Sequence, residues 1–136
     1  MTTWLSPSKN PLSGADRQWR MAVGLALPLG LAAAPAFLAL GDVPLCAFKH
    51  LTGVPCPLCG GIRTVAALAQ GDLASAWLQN PGLVPLLGVA ALHAVWLTAE
   101  AIRGQRLATP RGLVWAWQFA VAGQLGSWVW RLWAGG

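Results

Sequence analysis

The residues best equipped for chemistry are Cys46, Cys56 and Cys59, with His50 between them; three, five and two residues separate successive members of the set. Cys56-Pro57-Leu58-Cys59-Gly60 sets two thiols on one tight turn, as in zinc knuckles, where both thiolates face one cation and backbone N–H groups support the sulfurs. Such a turn supplies two ligands and a structural Zn²⁺ takes four, so Cys46 and His50 complete a candidate Cys₃His set for Zn²⁺ or another thiophilic metal. The same residues suit a second chemistry. A Cys-x-x-Cys pair before a helix can exchange thiol for disulfide, because the helix N-terminus favours a thiolate. Cys56 then attacks, Cys59 resolves and Cys46 exchanges with Cys56, while Arg63 one turn on strengthens the anion site. A plain Cys56–Cys59 or Cys46–Cys56 disulfide, or thiols that only fill space, is the third reading. An odd number of cysteines leaves at least one thiol over. Residue type and spacing leave these three open.

His93 interrupts a long apolar run, with Glu100 two turns on. An ionisable residue inside a membrane helix is a candidate cofactor ligand, for instance to haem, or a proton relay; the alternative is a neutral imidazole bonded to a neighbouring helix. No haem attachment motif is present, and no spacing rule pairs His50 with His93. With only four acids in the chain, acid–base hydrolysis has little to draw upon, and neither a phosphate-binding glycine loop nor a nucleophile elbow occurs.

The elements that carry these residues read as membrane helices. Of 136 residues, 56% are hydrophobic and 10% charged, far from the soluble average. The net charge of +5 comes from basic residues spread along the chain; with no dense Lys/Arg run they mark topology beside membrane helices, and nucleic acid is not an expected partner. Nine Trp and no Tyr fit side chains that settle at the bilayer interface.

Residues 1–20 form a polar, basic, loosely ordered tail, and 21–136 a single membrane domain. The expected fold is an all-α membrane protein with about three transmembrane helices, near 21–41, 82–102 and 112–133. A short helical segment bearing the cysteines, 43–80, lies between the first two. Met21 to Gly41 carries no charge and is long enough to cross a ~30 Å hydrocarbon layer at ~1.5 Å per residue; Pro28 and Pro35 would kink it. A competing reading takes it as a signal peptide cut after Ala34-Pro35-Ala36. Ile62 to Gln70, closed by Gly71, reads as a helix. Pro81 suits the first turn of the second span, where Ala90, Ala94 and Thr98 repeat at four-residue spacing and mark a packing face. The third run has Trp115 and Trp117 near one end and Trp128, Trp130 and Trp133 near the other. Between them Ala122 with Gly126 and Gly123 with Ser127 make small-residue pairs, and Gln118 and Gln124 should point into a bundle or at a partner.

Basic residues cluster in the tail (Lys9, Arg17, Arg20) and the loop at Arg103, Arg106 and Arg111, whereas the cysteine segment holds only Lys49 and Arg63. The N-terminus is therefore expected inside and the cysteine segment outside. Arg131 dissents from that rule.

Residues 46–85 resemble the bacterial membrane-protein family called domain-of-unknown-function twenty-seven fifty-two. It is marked by an upstream Cys, then Gly-x-Pro-Cys-Pro-x-Cys-Gly-x-x-Arg, then Gly-Asp, then Asn-Pro before a membrane helix. Here those positions are Cys46, Gly53, Pro55, Cys56, Pro57, Cys59, Gly60, Arg63, Gly71, Asp72, Asn80 and Pro81. Ile62 and Thr64 depart from the Thr and Ala usual on either side of that Arg, and His50 is not part of the pattern. The resemblance implies a multi-pass protein of the bacterial inner membrane and the cysteine arrangement, with no established activity. For the polar members it suggests a clasp: Asp72 capping a short helix through Trp77, and Arg63 pairing with Asp72 or Asp42.

Three functions follow as expectations. The first is a non-catalytic membrane protein whose outer cysteine cap binds a metal or forms a regulated disulfide. The second is an accessory subunit docking its Trp-rich and small-residue helix faces onto a larger membrane complex or a second copy. The third is a membrane thiol oxidoreductase, which needs an electron acceptor.

Overall fold

The computed structural model describes residues 7–40 and 47–135, so Cys46 and Asp42 lie outside the described residues. The chain is mostly helical, as its patterning predicts. The helices are α1 (Gly14–Ala39), α2 (Ala47–Thr52), α3 (Gly61–Ala69), α4 (Leu73–Gln79), α5 (Leu83–Arg103) and α6 (Arg111–Ala134).

Two short strands depart from the all-helical expectation. Residues 7–11 (β1) pair antiparallel with Gln105–Leu107 (β2), and the Leu12 N–H donates to Gly104 O at 3.0 Å, so part of the expected loose tail has its backbone groups engaged. The helix also starts before the apolar run. Ser13 accepts the Asp16 N–H at 3.1 Å, a side-chain cap that satisfies one of the open donors of a first turn, and α1 opens at Gly14 rather than Met21. It then runs through Pro28 and Pro35 without a break.

By length and composition α1 and α5 are the described helices that could cross a membrane. Leu29, Leu92, Val95 and Ile102 on these helices are each about two-thirds exposed, a cost in water that lipid removes. The expected third span, α6, is one continuous helix, but Gln118, Gln124 and Arg131 dilute its apolar character.

Three long helices pack antiparallel, α1 on α5 and α5 on α6, with α3 laid against α1 and α4 against α3. Gly24 of α1 lies so close to Thr98 and to the Ala94 carbonyl that a Cβ there would meet the Thr98 hydroxyl, which makes the Ala94–Thr98 stripe the α1 contact face. Gly82 does the same for α5 against Gln124 and Ser127 of α6.

Charges gather at the strand-bearing end of the bundle. Glu100, 3% exposed, pairs with Arg20 and accepts the Leu107 N–H at 2.8 Å. Arg17 Nε donates to Ala101 O at 3.0 Å, and Arg106 reaches Asp16 at 3.5 Å. A buried carboxylate is tolerated only when paired and hydrogen-bonded, and here one residue ties α1, α5 and β2 together. Midway along, Trp117 of α6 donates to His93 Nδ1 at 2.9 Å, the satisfied-imidazole arrangement weighed above.

Candidate functional site

The cysteine turn lies at the opposite end of the bundle, and local rules shape it. Short helix α2 stops where the Gly53 N–H bonds Lys49 O at 2.9 Å with Gly53 at a positive φ of 71°. The chain then runs through Val54 and Pro55 into the turn. There the Cys59 N–H closes on Cys56 O at 2.9 Å, and the Leu58 N–H points at Cys56 Sγ, 3.4 Å away. Gly60 leaves the turn at φ 82°, and a Cβ on it would lie 3.2 Å from Gln79 O; both the left-handed backbone and the close approach ask for glycine. Fully buried Thr64 donates its hydroxyl to Gly60 O at 3.0 Å, pinning the start of α3.

The segment back to the bundle is equally determined. Gly71 N–H bonds Leu68 O at 3.0 Å and Asp72 N–H bonds Ala67 O at 2.9 Å, the paired bonds of a helix end with glycine in the left-handed position. Asp72 then caps α4 by accepting the Ser75 N–H at 3.0 Å, as the motif suggested. The Ser75 side chain, and after it the Ser75 N–H, hold the Asp72 carboxyl below its ordinary range, because hydrogen bonds to the carboxylate favour the charged form. Asn80 is fully buried; its Oδ1 accepts the Leu83 N–H at 3.3 Å, bonding the first residue of α5 across the turn formed by Pro81 and the N-cap position Gly82, so Pro81 stands just ahead of the helix rather than in its first turn. The expected Arg63–Asp42 pair falls partly outside the described residues.

What fixes the turn is a set of donors aimed at its carbonyls. Pro55 and Pro57 have no N–H, so their carbonyls are their only backbone polar groups and need partners once buried. Pro57 O accepts from Asn80 Nδ2 at 3.2 Å, from Arg131 Nη2 at 3.1 Å and from Gln124 Nε2. Cys59 O accepts from Arg131 Nη1 and from Asn80 Nδ2, both at 3.4 Å. Trp128 Nε1 donates to Pro55 O at 2.6 Å. One face of α6, stepping by four and three residues from Gln124 to Trp128 to Arg131, grips the turn.

The motif reading omitted these three side chains. Their signal was in the sequence: Gln124 is a polar residue in an apolar run, Arg131 breaks the charge rule, and they share a helix face. Gln124 points into the bundle at 5% exposure, whereas Gln118 is exposed.

Of the predicted ligands, the structure brings Cys56 and Cys59 together on the turn, both half-buried and not bonded to each other. His50 lies on exposed α2, and among the described residues no three His, Cys, Asp or Glu side chains converge as a metal would require. Neither His50 nor His93 therefore joins the two thiols in this arrangement. Cys46, the remaining candidate, is outside the described residues. Chemically, the turn offers two sulfurs, one with a backbone N–H directed at it, on a backbone whose carbonyls are already occupied.

Residues 46–94 match the family model described as a protein of unknown function (DUF2752), the family whose motif the cysteine segment resembles. The match runs from Cys46 through the turn, α3 and α4 into α5. No curated protein and no solved structure matches the chain.

Proposed function

We propose that this chain is a three-span protein of the bacterial inner membrane, N-terminus inside, whose cysteine turn forms an outer cap that binds a thiophilic cation, Zn²⁺ first. Cys56 and Cys59 supply two thiolates and Cys46 the third; His50 can serve as fourth ligand only after α2 swings toward the turn. The observation that supports this best is the Leu58 N–H directed at Cys56 Sγ within a turn ended by left-handed Gly60. A backbone N–H directed at a turn sulfur is the support that zinc-knuckle sulfurs receive, and a gripped backbone presents both thiols to one cation with little further ordering to lose. On this reading α6, ~36 Å long at 1.5 Å per residue, is the third span, and Arg131 is outside because the turn's carbonyls need its guanidinium. Titration of the reduced full chain in detergent with Co²⁺ tests the cap. Thiolate-to-metal absorption should develop in the native chain and fall in Cys56→Ser and Cys59→Ser; a titration without such bands speaks against it.

A second reading, compatible with the first, is an accessory subunit. It is supported by Gln118, an exposed carboxamide on a helix face that also exposes Trp115 and Phe119 at 59 and 71%. A carboxamide facing lipid wants a partner. A partner recovered at fixed stoichiometry from the native chain and lost from Gln118→Leu would support docking through this face; unchanged recovery would remove it.

A further inference from the structure

We propose that the groove between α1 and α5 at the strand-bearing end holds one anionic phospholipid of the inner leaflet, an inference that rests on the membrane reading above. The groove has a volume of about 470 Å³, within the usual range of small-molecule sites. Its character changes along its length. Arg17 and Gln18 stand at one end, and Met21, Leu25 and Ile102 form an apolar wall beyond them. Arg17, Met21 and Leu25 follow at four-residue steps on one face of α1, so the groove passes from cation to hydrocarbon over ~12 Å. A headgroup joined to an acyl chain has that same order of chemistry.

Charge selects the occupant. Arg17 is anchored through Nε on Ala101 O, and among the described residues the two terminal nitrogens of its planar fork have no hydrogen-bond partner. The nearby acids are committed elsewhere: Glu100 to Arg20 and the Leu107 N–H, Asp16 to Arg106. Among the described residues no carboxylate pairs with Arg17. A guanidinium with an open fork matches two oxygens of a phosphodiester, and the Gln18 carboxamide can reach a glycerol hydroxyl or ester beside it. A basic pocket between membrane helices at the cytoplasmic face is where anionic headgroups bind.

The test is lipid binding by the detergent-solubilised full chain, read by native mass spectrometry with phosphatidylglycerol and phosphatidylcholine of the same acyl chains, alongside incorporation into vesicles of each lipid. The native chain should retain phosphatidylglycerol about fivefold better, the ratio expected for one basic residue near an anionic headgroup. Arg17→Gln should lose that preference, Arg17→Lys keep part of it, and Arg111→Gln, on exposed backbone outside the groove, keep all of it. Leu25→Trp fills the wall without touching Arg17 and should lower retention of phosphatidylglycerol even if Arg17→Gln fails to fold. Equal retention of the two lipids, an unchanged preference in Arg17→Gln, or undiminished retention of phosphatidylglycerol in Leu25→Trp overturns the lipid site, as does displacement by free glycerol phosphate. Failure of the chain to enter vesicles at all overturns the membrane reading beneath it.

Discussion

Arg131 Nη2 stands 3.1 Å from the carbonyl oxygen of Pro57 while Nη1 of the same guanidinium reaches Cys59 O at 3.4 Å, so one side chain near the end of α6 spans the cysteine turn. Asn80 and Gln124 also donate to Pro57 O, but Arg131 alone brings a charged donor to both carbonyls. Replacing Arg131 by Gln should cost about 1.5–3 kcal/mol, the usual worth of hydrogen bonds from a charged donor, and Arg131→Lys less than that. Thermal unfolding in detergent reads the cost. Faster modification of Cys56 by a thiol reagent should accompany it, and an unchanged rate would show that the turn holds its shape without α6.

Asn80 joins the turn to the start of α5. Asn80→Ala removes the acceptor for the Leu83 N–H and a donor to both Pro57 O and Cys59 O, and should destabilise by about 2 kcal/mol from the lost bonds and the buried groups left unpaired. Asn80→Asp keeps the acceptor for the Leu83 N–H but offers no donor to the carbonyls, so it should fall between Ala and the native residue in the same unfolding measurement.

Gly24 allows α1 to meet Thr98 and Ala94 of α5. Gly24→Leu should separate these helices and cost roughly 1–3 kcal/mol, the range for overpacking a tight contact, while Gly30→Leu on the same helix, where a Cβ meets nothing within 4 Å, should have little effect. Equal losses at the two positions would mean that helix propensity rather than packing sets the response.

The Asp72 carboxyl is held low by hydrogen bonds from the Ser75 side chain and from the Ser75 N–H. A folded-state value below the unfolded one means that its contribution is present above the unfolded value and is lost as pH falls through the folded value. Protection of α4 amides against hydrogen exchange should therefore weaken on acidification through the carboxylate range in the native chain. Asp72→Asn, which caps without titrating, should flatten that dependence, and an identical pH profile in the two chains would contradict the assignment.

Much of this was legible from residue order because the signals are local. Gly71-Asp72 ends one helix and caps the next, and Asn80-Pro81 leads into α5 two residues later, because glycine conformation and side-chain bonds to nearby backbone act within a few residues. The Ala94–Thr98 stripe was readable as a packing face for the same reason. Gln124 and Arg131 stood out in the sequence as polar residues on one face of an apolar helix, but what they grip did not, since the bonds join positions about seventy residues apart through backbone carbonyls, which no residue type announces. The β1–β2 pairing escaped likewise: polar, proline-flanked residues have weak strand propensity, and their pairing follows from where α1 and α5 bring the two segments.

The most direct test of the cap is the metal content of the full chain purified in detergent under reducing conditions without chelator, measured together with its thiol count. The account predicts one tightly held thiophilic metal per chain, absent from Cys56→Ser and Cys59→Ser preparations that still fold. A native chain with all thiols reduced and no bound metal, or a metal content untouched by those substitutions, would contradict it.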